Sequence, residues 1–348
     1  MTAQPGLVVL FGSGETLAAG QKVFDWLFRQ LAAPLRVAIL ETPAGFELNS
    51  ERVAGRIGEF LEQHLRNYQP AVTLVPARRR GTPFSPDLSE IAGQIVGADV
   101  SFLGPGSPTY AVRQLRDSLT WHTLLATHRL GAAVVLASAA VVAAGSYTLP
   151  VYEIYKAGQD LHWQAGLAFF EPYGLDLALV PHWNNRDGGG ELDTSRCYMG
   201  RERFEKLLEL LPPGTLVVGI DELTALAVDL AGAVCHVLGQ GGVTLLAGGN
   251  ERYFETGSDL ALAELGAAHL PPPDLGLPAG LLESTRERMG SAGATAVASA
   301  RVRCLLDERE TARARRDWVA ADGLRDEILA LGWRILDTPA GPRLEAAD

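Results

Sequence analysis

A serine, a histidine and a carboxylate stand just beyond three apolar runs of this chain. Ser138 follows Ala133 to Ala137, His182 follows Leu177 to Val180 across Pro181, and Glu222 follows Leu216 to Ile220 across Asp221. A serine hydroxyl is too weakly acidic to attack a carbonyl unaided. An imidazole must take its proton, and a carboxylate must fix the imidazole tautomer and stabilise the imidazolium. Each residue taken singly has a plainer reading. A serine beside Ala139, Ala140, Val141 and Val142 fits ordinary helix packing, a lone histidine before Trp183 fits a structural role, and Asp221-Glu222 fits a turn or a helix cap. The three together, in that order and at strand ends, are more specific than any one of them.

The chemistry requires elements that bring these ends together. Leu7 to Phe11, Arg36 to Leu40, Val72 to Val75, Val100 to Leu103 and Ala133 to Ala137 are too short for helices and too apolar for loops, which predicts buried strands. Helical patterns lie between them, around Val23, Trp26, Leu27 and Leu31, from Arg52 to Leu65, and from Leu88 to Val96. That alternation predicts an α/β fold with a mostly parallel sheet covered on both faces, and ligands at the carboxyl ends of its strands. The loop Gly104 to Tyr110 and Ser138 both fall at such ends, so they share one crevice. Ser138 then sits on a strand-to-helix turn, a nucleophile elbow, where the N–H of Ala139 faces a developing oxyanion. The segment Val151 to Lys156, with Tyr152 and Tyr155, is placed to wall a pocket. Beyond Glu222, the runs Ala225 to Val228, Val234 to Leu238 and Val243 to Leu246 predict an antiparallel set.

Two further motifs carry less. Gly12-Ser13-Gly14-Glu15-Thr16 follows a strand but lacks the full dinucleotide-binding spacing, and Glu15 would repel a phosphate. Arg78-Arg79-Arg80 reads as a solvated loop, with anion steering as the alternative.

Composition bounds the setting. The 348 residues are 47% hydrophobic and 20% charged, enough for a large domain and an appendage. A formal net charge of -11 argues against a nucleic-acid-binding or lipid-binding surface over the body of the chain. Cys197, Cys235 and Cys304 have no paired spacing, which points away from disulfides and zinc and towards a reducing cytoplasm. There is no signal-like start, and no apolar run reaches the roughly 20 residues needed to span a bilayer. The expectation is a cytoplasmic protein with no membrane partner, no metal and no organic cofactor, and with homo-oligomerisation left open. The stretch from Leu270 to Asp274 suggests a boundary. We therefore expect a body over 1–268, a proline-rich linker over 269–282 and a helical tail over 283–348. Within the tail, helices are expected near Leu281 to Arg288, Ala294 to Arg316 and Trp318 to Leu331, followed by a short hairpin from Trp333 to Pro339.

The body resembles the peptidase S51 family, which holds dipeptidase E and cyanophycinase. Pro181-His182-Trp183 is similar to its histidine motif, and Gly219-Ile220-Asp221-Glu222-Leu223-Thr224-Ala225 is very close to its acid motif. Leu136-Ala137-Ser138-Ala139-Ala140 stands where the family reads Gly-x-Ser-Ala-Gly, and Pro105-Gly106-Ser107 where it reads Gly-Gly-Asn/Asp. The resemblance implies a flavodoxin-like, three-layer α/β/α fold of the class I glutamine amidotransferase kind. It also implies a triad of Ser138, His182 and Glu222, with the N–H groups of Gly106 and Ala139 as oxyanion donors. Ser107, Glu153, Tyr155, Lys156, Asn184 and Asp221 are candidates for substrate contact. The implied activity is hydrolysis of a small peptide or related amide. The elbow and oxyanion loop have lost glycines of the pattern, so the alternative is a member that has kept the crevice as a binding module without catalysis. A glutaminase of the wider fold would need cysteine where Ser138 stands.

The tail is similar to the extreme C-terminal segment of cysteinyl-tRNA synthetases. The resemblance rests on Leu306 to Arg313, Asp317-Trp318, Ala321 to Glu327, Leu331-Gly332-Trp333 and Asp337 to Arg343. It implies a contact with tRNA or other RNA, or reuse of a helical hairpin for packing or a protein partner. Arginines and acids nearly balance in the tail, so no excess of positive charge favours phosphate.

Overall fold

The computed structural model describes residues 4–338 and 341–346, so Pro339 and Ala340 of the expected hairpin lie outside the described residues. The chain forms two compact units, Met1–Arg286 and Glu287–Asp348.

The first unit is built on strands whose residues are buried on both sides. Val8, Leu10, Val134 and Leu136 enter one core with Leu103, Trp121 and Leu124. Their neighbours Val9, Phe11, Ala133, Val135 and Ala137 enter another with Phe24, Leu27, Phe28 and Phe102. A strand covered on both faces has no polar side to present, which is why these runs are apolar throughout rather than alternating. From edge to edge the main sheet runs Asp259–Ala261, Val234–Gly239, Thr224–Asp229, Val8–Phe11, Ala133–Ala137, Val100–Leu103, Arg36–Leu40 and Ala71–Val75. Its last five strands are parallel, and the first three are joined antiparallel.

A second sheet departs from the single-sheet expectation. It runs Asn250–Glu255, Gly242–Ala247, Leu216–Ile220, Leu177–Val180, Tyr147–Thr148 and Gln164–Ala165. The run Val243 to Leu246 therefore pairs with Leu216–Ile220 instead of Val234–Gly239. The chain crosses from one sheet to the other at Asp221-Glu222-Leu223, with Leu223 at φ +58°, and again between Gly239 and Gly242. Hydrogen bonds close this seam: Gly12 N donates to Thr224 O at 2.8 Å, His182 N to Gly12 O at 3.2 Å, and Gly241 N to Thr224 Oγ1 at 2.8 Å.

The proline-rich stretch belongs to this first unit. Arg129, which ends the helix Leu119–Arg129, donates through Nη1 to the carbonyls of Pro273 at 3.0 Å and Leu275 at 2.5 Å.

One helix runs Leu281–Ala314 without the expected break before Ala294, and most of it belongs to the second unit. Isolated glycines such as Gly290 cost a helix about 1 kcal/mol each, too little to stop one that has no proline. The helix Trp318–Ala330 follows, its first turn capped by the Asp317 carboxylate on Ala320 N, and then the hairpin Trp333–Thr338 with Gly341–Ala346. Val302, Leu305, Ile328 and Ile335 form its small core. Among the described residues, no helix is long and apolar enough to cross a membrane.

Candidate active site

Strand Ala133–Ala137 ends on Ser138, and helix Ala139–Ala144 begins at once. The turn leaves no room for ordinary backbone angles, so Ser138 takes φ +52°, ψ -113°. Such a conformation costs a non-glycine residue about 1–3 kcal/mol and persists only where the surroundings hold it. Leu136 and Ala140, which stand where the resemblance has glycine, are both buried in one core. The side chains in place of glycine are thus absorbed as packing.

His182 comes from the second sheet, just past Leu177–Val180, and also has a positive φ, +52°. Its Nε2 lies 3.1 Å from Ser138 Oγ, and its Nδ1 lies 3.2 Å from Glu222 Oε1. Glu222 stands at the seam between the sheets and is gripped at two points. Its N–H donates to Asn184 Oδ1 at 2.8 Å, and its Oε1 accepts from Asn185 Nδ2 at 2.9 Å. The hydrogen bond with His182 holds the Glu222 carboxyl below the usual carboxylate range, with Asn185 helping, against partial burial that pushes it up.

These residues face a cavity of about 420 Å³. Gly106, Pro108, Ser138, Ala139 and His182 form one side, and Tyr152, Tyr155, Lys156, Asp187, Cys197 and Tyr198 much of the remainder. Among the described residues, the backbone N–H groups of Gly106 and Ala139 have no protein acceptor. Gly106 is at φ +147°, and a Cβ there would lie 1.9 Å from the Pro43 carbonyl oxygen. Only glycine lets this loop lie against that carbonyl.

The other sequence candidates divide. Tyr155 and Lys156 line the cavity, with Lys156 Nζ 4.9 Å above the Tyr155 ring. Among the described residues, no carboxylate pairs with Lys156. Ser107 instead caps helix Pro108–Leu115, accepting from Tyr110 N at 3.2 Å. Glu153 accepts from Thr109 Oγ1 at 2.5 Å and is not among the lining residues. Asn184 is tied to the Glu222 backbone. Asp221 accepts from Gly242 N at 3.0 Å and Tyr253 OH at 3.2 Å, and burial pushes its carboxyl up. It serves the seam and does not line the cavity.

Sequence reasoning missed Asn185, Asp187 and the wall of Cys197 and Tyr198. The pair Asn184-Asn185 directly after His182-Trp183 was the available signal for the first. No signal marked the wall. Arg196, Cys197 and Tyr198 form a left-handed turn with φ of 57°, 57° and 69°, although none is glycine. It is held by Arg196 N on Trp183 O at 2.9 Å, Cys197 N on His182 O at 3.2 Å, and the Arg196 guanidinium 3.8 Å over the Trp183 ring. Tyr198 OH donates to Asp187 Oδ2 at 2.9 Å. Burial pushes the Cys197 thiol up to about 12, so it stays protonated and is no competing nucleophile. Among the described residues, no three His, Cys, Asp or Glu side chains gather as a metal site would require.

Comparison with known proteins bears on both parts of the chain. No family model matches it. The solved structure of a peptidase from an acI-B1 Actinobacterium covers 75% of this chain and 98% of its own, with a TM-score of 0.60 at 20% identity. The body shares that peptidase's fold. A putative peptidase E protein from Listeria monocytogenes aligns over 72% of this chain at 14% identity, with a TM-score of 0.41. Among curated proteins, the cysteine–tRNA ligase of Streptomyces griseus is 57% identical over 42 residues, 12% of this chain and 9% of that enzyme. That of a Nocardioides species is 35% identical over 127 residues, 35% of this chain and 26% of its own. The chain thus spans only a small part of these relatives, and what it shares with them is a short segment.

Proposed function

We propose that this protein is a serine hydrolase that cleaves a peptide, isopeptide or related amide bond. The observation that carries the reading is the unbroken line from Ser138 Oγ through His182 to Glu222, 3.1 Å and then 3.2 Å, with the serine on a strained strand-to-helix turn. Ser138 Oγ attacks the amide carbon while His182 Nε2 takes its proton. The carbonyl electron pair moves onto oxygen, towards the N–H groups of Gly106 and Ala139. His182 then gives the proton to the leaving nitrogen as the C–N bond breaks, leaving an acyl-serine. Water, deprotonated by the same imidazole, releases the acid and restores the serine. Glu222 keeps the Nδ1–H tautomer, so that Nε2 is the basic nitrogen. Lys156, a cation in the cavity with no carboxylate partner among the described residues, suits a substrate that carries a carboxylate near the scissile bond.

The test is intact mass after incubation with a fluorophosphonate, on the wild-type protein and on Ser138→Ala. One adduct, lost in the variant, is the expected result. Hydrolysis of peptides bearing aspartyl or β-aspartyl residues would follow. No adduct on folded wild-type protein would overturn the reading and leave the crevice as a binding site. In that event the segment shared with cysteine–tRNA ligases makes RNA contact by the tail the reading to take up.

A further inference from the structure

The three arginines 78–80 have separate fates. Arg78 pairs with Glu41 at 2.7 Å and Glu51 at 3.5 Å, and lies 4.6 Å over the Phe84 ring. Arg80 pairs with Asp87 at 3.3 Å and donates to Arg116 O. Arg79 has no carboxylate within 4.0 Å among the described residues, and neither does Arg113. These two line one cavity of about 410 Å³ with Gly45, Phe46, Tyr110 and Gln114, and it shares no lining residue with the Ser138 cavity.

The donors that this cavity offers are the Arg79 and Arg113 guanidiniums and the Gln114 amide. Gln114 has its oxygen committed to Arg80 N at 2.8 Å, so its amide NH2 is what it can offer. Tyr110 OH is committed to Arg78 O at 2.8 Å. Among the described residues no carboxylate lines the cavity, although the chain carries a net charge of -11. Both guanidiniums oppose the upward push of burial on the Tyr110 phenol. Apolar surface completes the site. The Phe46 ring, 50% exposed, lies 5.2 Å from the Tyr110 ring, and the Arg113 guanidinium lies 5.1 Å from it.

We infer that this cavity binds a phosphate monoester carried on a planar ring, such as an aryl or nucleoside phosphate. Two guanidinium forks match the near-double negative charge of a phosphate, whereas a lone carboxylate would leave one cation uncompensated. The volume is that of a small-molecule site, and the half-exposed Phe46 ring offers apolar surface to a planar group. The walls also belong to the backbone that presents Gly106. Ser107 N donates to Pro43 O at 2.8 Å, two residues before Gly45, and Tyr110 lies in the helix that Ser107 caps.

Titration calorimetry of the full chain with phenyl phosphate, adenosine 5′-monophosphate, inorganic phosphate and benzoate tests this. Saturable binding of phenyl phosphate or the nucleotide is expected, about tenfold tighter than inorganic phosphate or benzoate, and the tighter of the two identifies the source of the ring. Arg79→Ala and Arg113→Ala are each expected to weaken it about tenfold, and Phe46→Ala to bring it to the level of inorganic phosphate. Ser138→Ala must leave it unchanged, which separates this site from the hydrolase reading. Absence of saturation up to about 10 mM would overturn the inference. So would equal binding of inorganic phosphate, or affinity unaltered in an Arg79→Ala, Arg113→Ala double variant.

Discussion

Asn185 does at the residue scale what a triad acid requires. Its amide and the His182 imidazole share Glu222 Oε1, while Asn184 holds the Glu222 backbone, so the carboxylate cannot rotate away from the imidazole. A hydrogen bond to a charged group contributes about 1.5–3 kcal/mol. Asn185→Leu is therefore expected to slow fluorophosphonate labelling by about tenfold to a hundredfold. The sign of its pH effect follows from the direction of the Glu222 shift. The carboxyl is held low by His182 and Asn185. Losing one donor raises it towards the ordinary value, so the part of the labelling loss that follows Glu222 protonation sets in at higher pH. A labelling rate and profile equal to wild type would show that Asn185 does not position Glu222.

At the scale of elements, three backbones meet where hydrolysis is proposed to occur, and each holds a conformation that its residues would not choose alone. Ser138 and His182 have positive φ, and Arg196 to Tyr198 make a left-handed turn. The two sheets supply the hold: Gly12 O accepts from His182 N, and Ile220 O from Trp183 N at 3.0 Å. The loop that carries Gly106 depends on closeness to Pro43. Gly106→Ala would put a methyl 1.9 Å from a carbonyl oxygen, on a backbone angle unsuited to alanine. The loop must shift, and with it one proposed oxyanion donor. Losing such a donor costs about a hundredfold to a thousandfold in rate. Labelling should fall by about that factor, while circular dichroism remains that of a folded protein; labelling at the wild-type rate would remove Gly106 from the oxyanion hole.

At the scale of the whole molecule, stability carries a pH dependence set far from Ser138. His128 lies at the end of helix Leu119–Arg129, fully buried between Phe169 and Tyr173. Its Nδ1 is 3.4 Å from Ala132 O, and its Nε2 has no partner among the described residues. Burial pushes its pKa from about 6.5 down to about 4, with Arg129 adding to the effect and the Ala132 carbonyl opposing it. The folded state thus binds this proton less readily than the unfolded chain. The contribution is fully present above about 6.5 and is lost as the pH falls through 4. The loss is on the order of 3 kcal/mol. Denaturant melts of wild type should show stability falling across that window, and His128→Leu should flatten the slope. An unchanged slope in the variant would assign the pH dependence to other groups.

Apolar runs and turn chemistry made the main strands, the helix-to-strand alternation and the serine at a strand end readable from the chain alone. Burial on both faces writes an unbroken hydrophobic run, and that is a local signal. The strands that lead to His182 and Glu222 were readable for the same reason, whereas the exposed tail helix from Trp318 was readable from the Gly332 that follows it. The division into two sheets was not, because Val243 to Leu246 is equally apolar whichever strand it pairs with, and only the crossing at Leu223 decides. Nor were the Arg196–Tyr198 wall, the release of Asp221 and Ser107 to structural duties, or the pairing of Arg79 with Arg113. Ser107 is the local case, a cap three residues before its donor Tyr110; the others bring together segments far apart in the chain, set by packing that no local pattern encodes.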